Sequence, residues 1–262
     1  VHDLMTDPAF SAVNRRVALA LSRRVRLVGV NSAATGAAFV AVGGRADRVR
    51  VVPNGFDADV AEPGPEASRD LRELAGLDER PVVGLFGRLA PWKGQEVLLR
   101  ALSAMPDVQA VLVGGPLFGA EEFERELRTL ADELGISDRV RFLGHREDVP
   151  TLMAGVDVVV HCSTTPEPFG RVLVEAQLAR RPVVATDGGG VREIVTDEVD
   201  GLVVAPRDVD ALTAAVARVL ADPALAARMG AAGRAGSSGR YALTATRETF
   251  AALIDEVVGG SD

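Results

Sequence analysis

Between residues 81 and 205 short Val- and Leu-rich runs alternate with stretches of helical period. The runs are "PVVGLF" (81–86), "VQAVLV" (108–113), "RVRFLG" (139–144), "VDVVVH" (156–161), "RPVVAT" (181–186) and "DGLVVA" (200–205). Short apolar runs without polar alternation fit strands covered on both faces. Helices are expected near 93–104, 120–134, 148–154, 170–180, 190–196, 208–220 and 223–234. Strand and helix in turn predict an α/β fold, a Rossmann-like doubly wound parallel sheet of about six strands.

Flanking segments read differently. "VRVVPNGFD" (49–57) is a strand ending in a Pro-Asn-Gly turn, and "EPGPEASRD" (62–70) has the Pro/Gly content of a linker that leads into a helix. Residues 1–57 then supply one or two helices and a strand, too little to enclose a core. "RYALTATRETFAALIDEVV" (240–258) is amphipathic, with Leu243, Phe250 and Leu253 near helical spacing. The expected division is 1–57, 58–239 and 240–262, with the last helix packing back toward the first part.

Charge and composition narrow the function classes. A net charge of −8 argues against general nucleic-acid binding, yet no acidic residue falls between Asp7 and Asp47, where Arg15, Arg16, Arg23, Arg24, Arg26 and Arg45 lie. Arg16 and Arg23, seven apart, are expected on one helical face. That gives segment 15–26 two readings, a solvated helix or a weak contact with an anionic membrane surface. No apolar run reaches the ~18 residues of a membrane span and no signal peptide opens the chain, so a cytoplasmic location is expected, with peripheral contact at most. A single cysteine, Cys162, excludes an internal disulfide, and three scattered histidines give no metal-ligand spacing.

Ligands of doubly wound sheets bind beyond the carboxyl ends of the strands. The first strand is followed by "GRLAPWKG", which puts Arg88 and Lys93 there. Two such cations either flank a diphosphate or are solvated surface charges. The fourth strand is followed by "PEPFG" and a helix from about 170, whose N-terminus presents unpaired N–H groups and a positive dipole end. Glu175 in that helix suits the two hydroxyls of a ribose, and Glu167 ahead of it suits a polyhydroxylated group beyond the phosphates. Both also read plainly, Glu175 as a solvated residue favoured by the dipole and Glu167 as a turn residue.

The order of "GRLAPWKG", "LVGG", "PEPFGRVLVEA" and "RPVVATDGGGVREIV" resembles the donor half of the retaining glycosyltransferases of family 4, which have the two-domain GT-B fold. The resemblance runs from about residue 28 to the end, and the Glu-x7-Glu element of Glu167 and Glu175 is its most specific part. It implies that Arg88 and Lys93 hold the donor diphosphate and that Glu175 binds the ribose. Glu167 and the backbone of Phe169, Gly170, Arg171 and Val172 are implied to contact the donor. "VNSAATGAAF" (30–39) and "RVVPNGFD" (50–57) match the end of the acceptor domain, and "VHDL" resembles the loop where a histidine sits beside the transferred sugar. His2 thereby joins Arg88, Lys93 and Glu167 as a candidate catalytic residue.

The resemblance implies an enzyme of the hexosyltransferase type that moves a sugar from a nucleoside diphosphate sugar to an acceptor hydroxyl, with retained configuration. No cofactor or metal is implied, and no Asp-x-Asp motif occurs. Two sheet domains need more than ~300 residues, so a fragment of a longer enzyme, or a missing half from another chain, is expected. The alternatives are a catalytically silent nucleotide-sugar-binding module and a GT-B sugar-nucleotide epimerase. Three positions depart from the family's pattern: Arg180 where glycine is common, and His161–Cys162 where a small residue or proline precedes Ser163. His161 reads as a core or rim residue. Base recognition is expected near His145 and Arg146.

Overall fold

The computed structural model describes residues 2–6, 11–57, 65–116 and 121–259. The first part holds α1 (Ala12–Ser22), β1 (Val28–Val30), α2 (Ala33–Ala41) and β2 (Val49–Val51). β1 and β2 pair in parallel, so this segment contributes two strands rather than the one expected from sequence. A three-residue strand such as β1 is too short to show a period, which is why it escapes notice. The N-terminal part keeps a small core of its own, Met5, Val28, Val30 and Phe39.

The second part runs α3 (Pro65–Ala75), β3 (Val82–Phe86), α4 (Gln95–Ser103), β4 (Gln109–Val113), α5 (Glu121–Glu133), β5 (Val140–Gly144), α6 (Val149–Gly155), β6 (Val158–His161) and α7 (Arg171–Leu178). It continues through β7 (Val183–Thr186), α8 (Val191–Ile194), β8 (Leu202–Val204), α9 (Val209–Ala221) and α10 (Pro223–Arg240), after which α11 (Leu243–Gly259) closes the described chain. All six predicted strands are present, in one parallel sheet of order β5-β4-β3-β6-β7-β8.

That order follows from a doubly wound path. The chain moves outward from β3 through β4 to β5, then returns to start again beside β3 with β6. Every residue of β3 and β4 is buried, as runs without polar alternation predict. Val83 and Leu85 face a layer built on Leu98 and Leu102 of α4 and Leu212 and Val216 of α9. Val82 and Phe86 face the opposite layer, with Leu71 of α3, Met153 of α6 and Leu173 of α7. Each fully buried leucine contributes about 2 kcal/mol through the apolar area removed from water.

Two helix ends differ from the sequence reading. α1 stops at Ser22 with Arg23 as its C-cap, so the helix carries Arg15 and Arg16 but ends before Arg24 and Arg26. α10 runs to Arg240 despite its glycines because tertiary packing holds it: Gly233 lies against Gln177, and the Ser237 hydroxyl donates to the Gln177 side chain. The apolar residues of α11 are not buried, with Phe250 58% exposed. This helix meets the first part through Thr246, which donates to the Pro53 carbonyl, and through the Arg50–Glu256 ion pair at 2.6 Å.

Candidate active site

The order in which strands are added reverses between β3 and β6, and the crevice beyond their carboxyl ends is where such folds take ligands. The loops that leave these two strands are laced together. Thr164 N–H donates to the Trp92 carbonyl at 2.7 Å. Gly94, at φ +68°, packs so closely on β6 that a Cβ there would lie 2.0 Å from the Cys162 carbonyl oxygen. Only glycine fits both that backbone conformation and that contact. The lacing brings Lys93 to Glu167, 74 positions away in sequence.

Four donors and acceptors meet at that point. Lys93 Nζ donates to Glu167 Oε2 at 2.7 Å, the Ser163 hydroxyl donates to the same oxygen at 2.9 Å, and His161 Nε2 lies 3.1 Å from it. Burial by itself would raise the Glu167 pKa. The hydrogen bond from His161 and the charge of Lys93 outweigh it and hold the carboxyl down to about 2. Lys93 also lies over the Trp92 ring, 4.1 Å from its centroid. Arg88, by contrast, is exposed and has no ion-pair partner among the described residues.

Gly170 is the N-cap of α7 and no side chain caps the helix there, while Gly170, Arg171 and Val172 line the crevice. Glu175, one turn in, is half-buried and paired with Arg171 at 3.4 Å. Burial raises its pKa, and Arg171 only partly offsets this. The turn ahead of α7 is clamped from behind by the glycines of "TDGGG": Gly190 N–H donates to the Glu167 carbonyl at 2.8 Å, and a Cβ on Gly189 would lie 2.0 Å from that oxygen. Phe169 anchors the turn inward, stacked on Phe56 with centroids 6.3 Å apart and edge-on to Tyr241 at 5.6 Å.

These elements enclose a cavity of about 900 Å³. The nine candidate catalytic and donor-binding residues all line it: His2, Arg88, Lys93, Glu167, Phe169, Gly170, Arg171, Val172 and Glu175. Sequence reasoning missed Trp92, Asn31 and Asn54, which also line it. His161 is a buried residue at the cavity's rim, in keeping with the core-or-rim reading, and its contact with Glu167 is what that reading did not include. In sequence, His161-x-Ser163-x3-Glu167 is an ordinary spacing, and only the meeting of the three side chains marks it. His145 and Arg146 do not line the cavity, and Arg146 is tied to Asp148. Cys162 is buried, and burial pushes its thiol up. Arg180 sits at φ 54°, the left-handed conformation that explains why glycine is common there.

The family model described as "Glycosyl transferases group 1" matches residues 68–236. The chain belongs to this family. Among curated members it is 38% identical over 208 residues to the GDP-mannose-dependent alpha-(1-6)-phosphatidylinositol monomannoside mannosyltransferase of Mycolicibacterium smegmatis, covering 75% of this chain and 53% of that one. It is 42% identical over 165 residues to a D-inositol 3-phosphate glycosyltransferase of a Mycobacterium species, covering 62% and 37% respectively. The chain thus spans about half or less of the length of these curated glycosyl transferases. The crystal structure of Anabaena Alr3699/HepE in complex with UDP and glucose superposes with a TM-score of 0.94 at 40% identity, covering 97% of this chain and 70% of that one. Sucrose-phosphate synthase from Thermosynechococcus elongatus gives 0.88 at 28% identity, over 99% of this chain and 67% of its own. The GT-B resemblance drawn from "GRLAPWKG" and "PEPFGRVLVEA" is borne out by this membership and these structures.

Proposed function

We propose that this group 1 glycosyl transferase chain carries the donor half of a retaining, metal-independent transferase that takes a sugar from a nucleoside diphosphate sugar. The observation that carries the reading is convergence. Residues from five separate stretches of sequence line one cavity at the switch point of the sheet, bringing together Arg88, Lys93, the start of α7, Glu167 and Glu175.

The chemistry follows from charge. As the bond to the sugar breaks, negative charge grows on the departing diphosphate. Arg88, Lys93 and the uncapped start of α7 supply the compensating positive field, the work a divalent cation does elsewhere. Glu175 accepts from the ribose hydroxyls. Glu167 Oε1, which accepts no hydrogen bond among the described residues, is available to the sugar. His2, exposed at the cavity wall, is assigned a place beside the transferred sugar. Retention is assigned to attack from the face the leaving group departs, with a phosphate oxygen taking the acceptor proton.

Calorimetric titration with UDP, GDP and ADP and their sugar conjugates tests this, with Lys93→Ala and Glu175→Ala beside the wild type. Selective binding lost in both variants is expected, unchanged by EDTA. Equal binding in all three proteins would remove the donor site from this cavity. A second reading is a catalytically silent nucleotide-sugar-binding module. Sugar transfer or donor hydrolysis by the chain alone would rule it out.

For membrane contact, α1 offers Val13, Val17 and Leu21, four apart and more than half exposed, beside Arg15 and Arg16. No helix among the described residues is long and apolar enough to cross a membrane. Peripheral attachment to an anionic surface is proposed on that basis. Co-sedimentation with liposomes that ignores anionic lipid content would dismiss it.

A further inference from the structure

One carboxylate oxygen, Glu167 Oε2, receives three donors: Lys93 Nζ at 2.7 Å, the Ser163 hydroxyl at 2.9 Å and His161 Nε2 at 3.1 Å. Such an oxygen has two lone-pair directions, so one of the three is surplus. His161 and Ser163 are 5% and 2% exposed and belong to the end of β6 and the residues just after it. Thr186 on the neighbouring β7 fixes Ser163 further by donating to its carbonyl at 2.7 Å. Lys93 instead stands on the loop after β3, at the end of a flexible stem.

The protonation of His161 is set by its other nitrogen. Nδ1 is buried and has no hydrogen-bond partner. A proton there would be a buried donor without an acceptor; Nε2 lies 3.1 Å from both the carboxylate and the Ser163 hydroxyl, and with that hydroxyl donating to Glu167 at 2.9 Å, a proton on Nε2 is the arrangement that leaves no buried donor unmet. The proton therefore sits on Nε2, and His161 is a standing donor to Glu167. With Lys93 gone, His161 and Ser163 still fill both lone-pair directions of Oε2, so the carboxylate is not stranded. Without His161, the lysine becomes necessary where it is.

We infer that His161 is a positioning residue that frees Lys93 to exchange Glu167 for the diphosphate of the donor. The inference rests on the reading of the cavity as a nucleotide-sugar site. In the exchange Lys93 carries its charge from carboxylate to phosphate, no covalent bond changes, and Glu167 stays ionised and oriented by the two donors from β6 and its exit.

A double-mutant cycle on UDP and GDP affinity, measured by calorimetry, tests it. His161→Leu removes the donor at similar volume and is expected to weaken binding about tenfold, the worth of one hydrogen bond. In a Glu167→Ala background, where Lys93 has no carboxylate to leave, the same change is expected to alter affinity less than about twofold. His161→Gln, which restores an amide donor near the Nε2 position, should recover most of the loss. Equal loss in both backgrounds, or no loss when Lys93→Ala does weaken binding, overturns the exchange while leaving the site reading intact. Full affinity in Lys93→Ala overturns the site reading and the exchange with it. Nitrogen-15 NMR of the wild-type ring is an arm independent of any nucleotide: a protonated Nε2 and a bare Nδ1 are expected, and the opposite tautomer removes the premise.

Discussion

Glu193 of α8 holds the first turn of α2 through both its carboxylate oxygens, one accepting from Ala33 N–H at 2.8 Å and the other from Ala34 N–H at 2.9 Å. The grip joins the N-terminal part to the loop pair around the cavity, because the hydroxyls of Ser32 and Thr35 donate to the Pro168 carbonyl in the turn that carries Glu167. A carboxylate at a helix N-terminus meets both free N–H groups and the positive dipole end. Glu193→Ala should cost about 2 kcal/mol of stability and raise hydrogen exchange at the Ala33 and Ala34 amides. Unchanged exchange there would show that the contact does not hold the two parts together.

The depressed pKa of Glu167 sets a stability window. Its value of about 2 lies below the ordinary 4.5, so the folded state favours the ionised carboxyl. The contribution, about 3 kcal/mol, is complete above the unfolded value and is lost as pH falls from 4.5 toward 2. Urea denaturation across that range should show a steeper loss in the wild type than in Glu167→Gln. Parallel slopes would mean that the carboxyl titrates as an exposed one.

Glu175 titrates in a separate window. Burial raises its pKa above 4.5, partly offset by Arg171. A protonated carboxyl gives up an acceptor for the ribose hydroxyls, so donor affinity should fall on acidification at a pH above the ordinary glutamate value. The limb belongs to Glu175 because Glu167 remains ionised down to about 2. Calorimetry should find it in the wild type and miss it in Glu175→Gln.

Trp92 is the one tryptophan of the chain, and Lys93 Nζ lies 4.1 Å from its ring centroid. Departure of that cation to a diphosphate should change the indole emission. A saturable fluorescence response to UDP or GDP is expected in the wild type and its loss in Lys93→Ala. An identical response in both proteins would place the nucleotide on Trp92 without any movement of Lys93.

Gly94→Ala and Gly76→Ala separate conformation from contact. Both glycines have φ between +60° and +68°, but a Cβ on Gly76 meets nothing within 4 Å while one on Gly94 strikes the Cys162 carbonyl. The first substitution should cost about 1 kcal/mol, for the left-handed backbone alone. The second should cost more than ~3 kcal/mol, because the backbone beside Lys93 must shift as well. Chemical denaturation of the two variants measures the difference.

The sheet was legible because its strands are covered on both faces, so "VVGLF" and "QAVLV" stand out as unbroken apolar runs. The cavity's members were legible through the resemblance, since Arg88, Lys93, Glu167 and Glu175 occur at recognisable places after two strands. What sequence does not carry is pairing across distance. Nothing near Lys93 names Glu167 as its partner, nothing in "VREIV" names α2 as the target of Glu193, and His161 in "VVVHCS" has the setting of any core histidine. α10 shows the converse: its glycines argue for an early stop, and contacts with Gln177 override them.

The chain passes between its N-terminal part and the sheet domain twice, at Phe56 and again at Ala242, and the two crossings run side by side as a parallel bridge. Phe56 N–H donates to the Tyr241 carbonyl and Leu243 N–H to the Phe56 carbonyl, each at 2.8 Å. A single connecting strand can swivel about any bond. Two strands tied to each other cannot rotate past one another without breaking both ties, but they bend together across their common width. Any separation of the two parts must therefore bend about an axis through Phe56 and Ala242, and it must release the Ser32 and Thr35 bonds to the Pro168 carbonyl before Asn31 can leave Glu167.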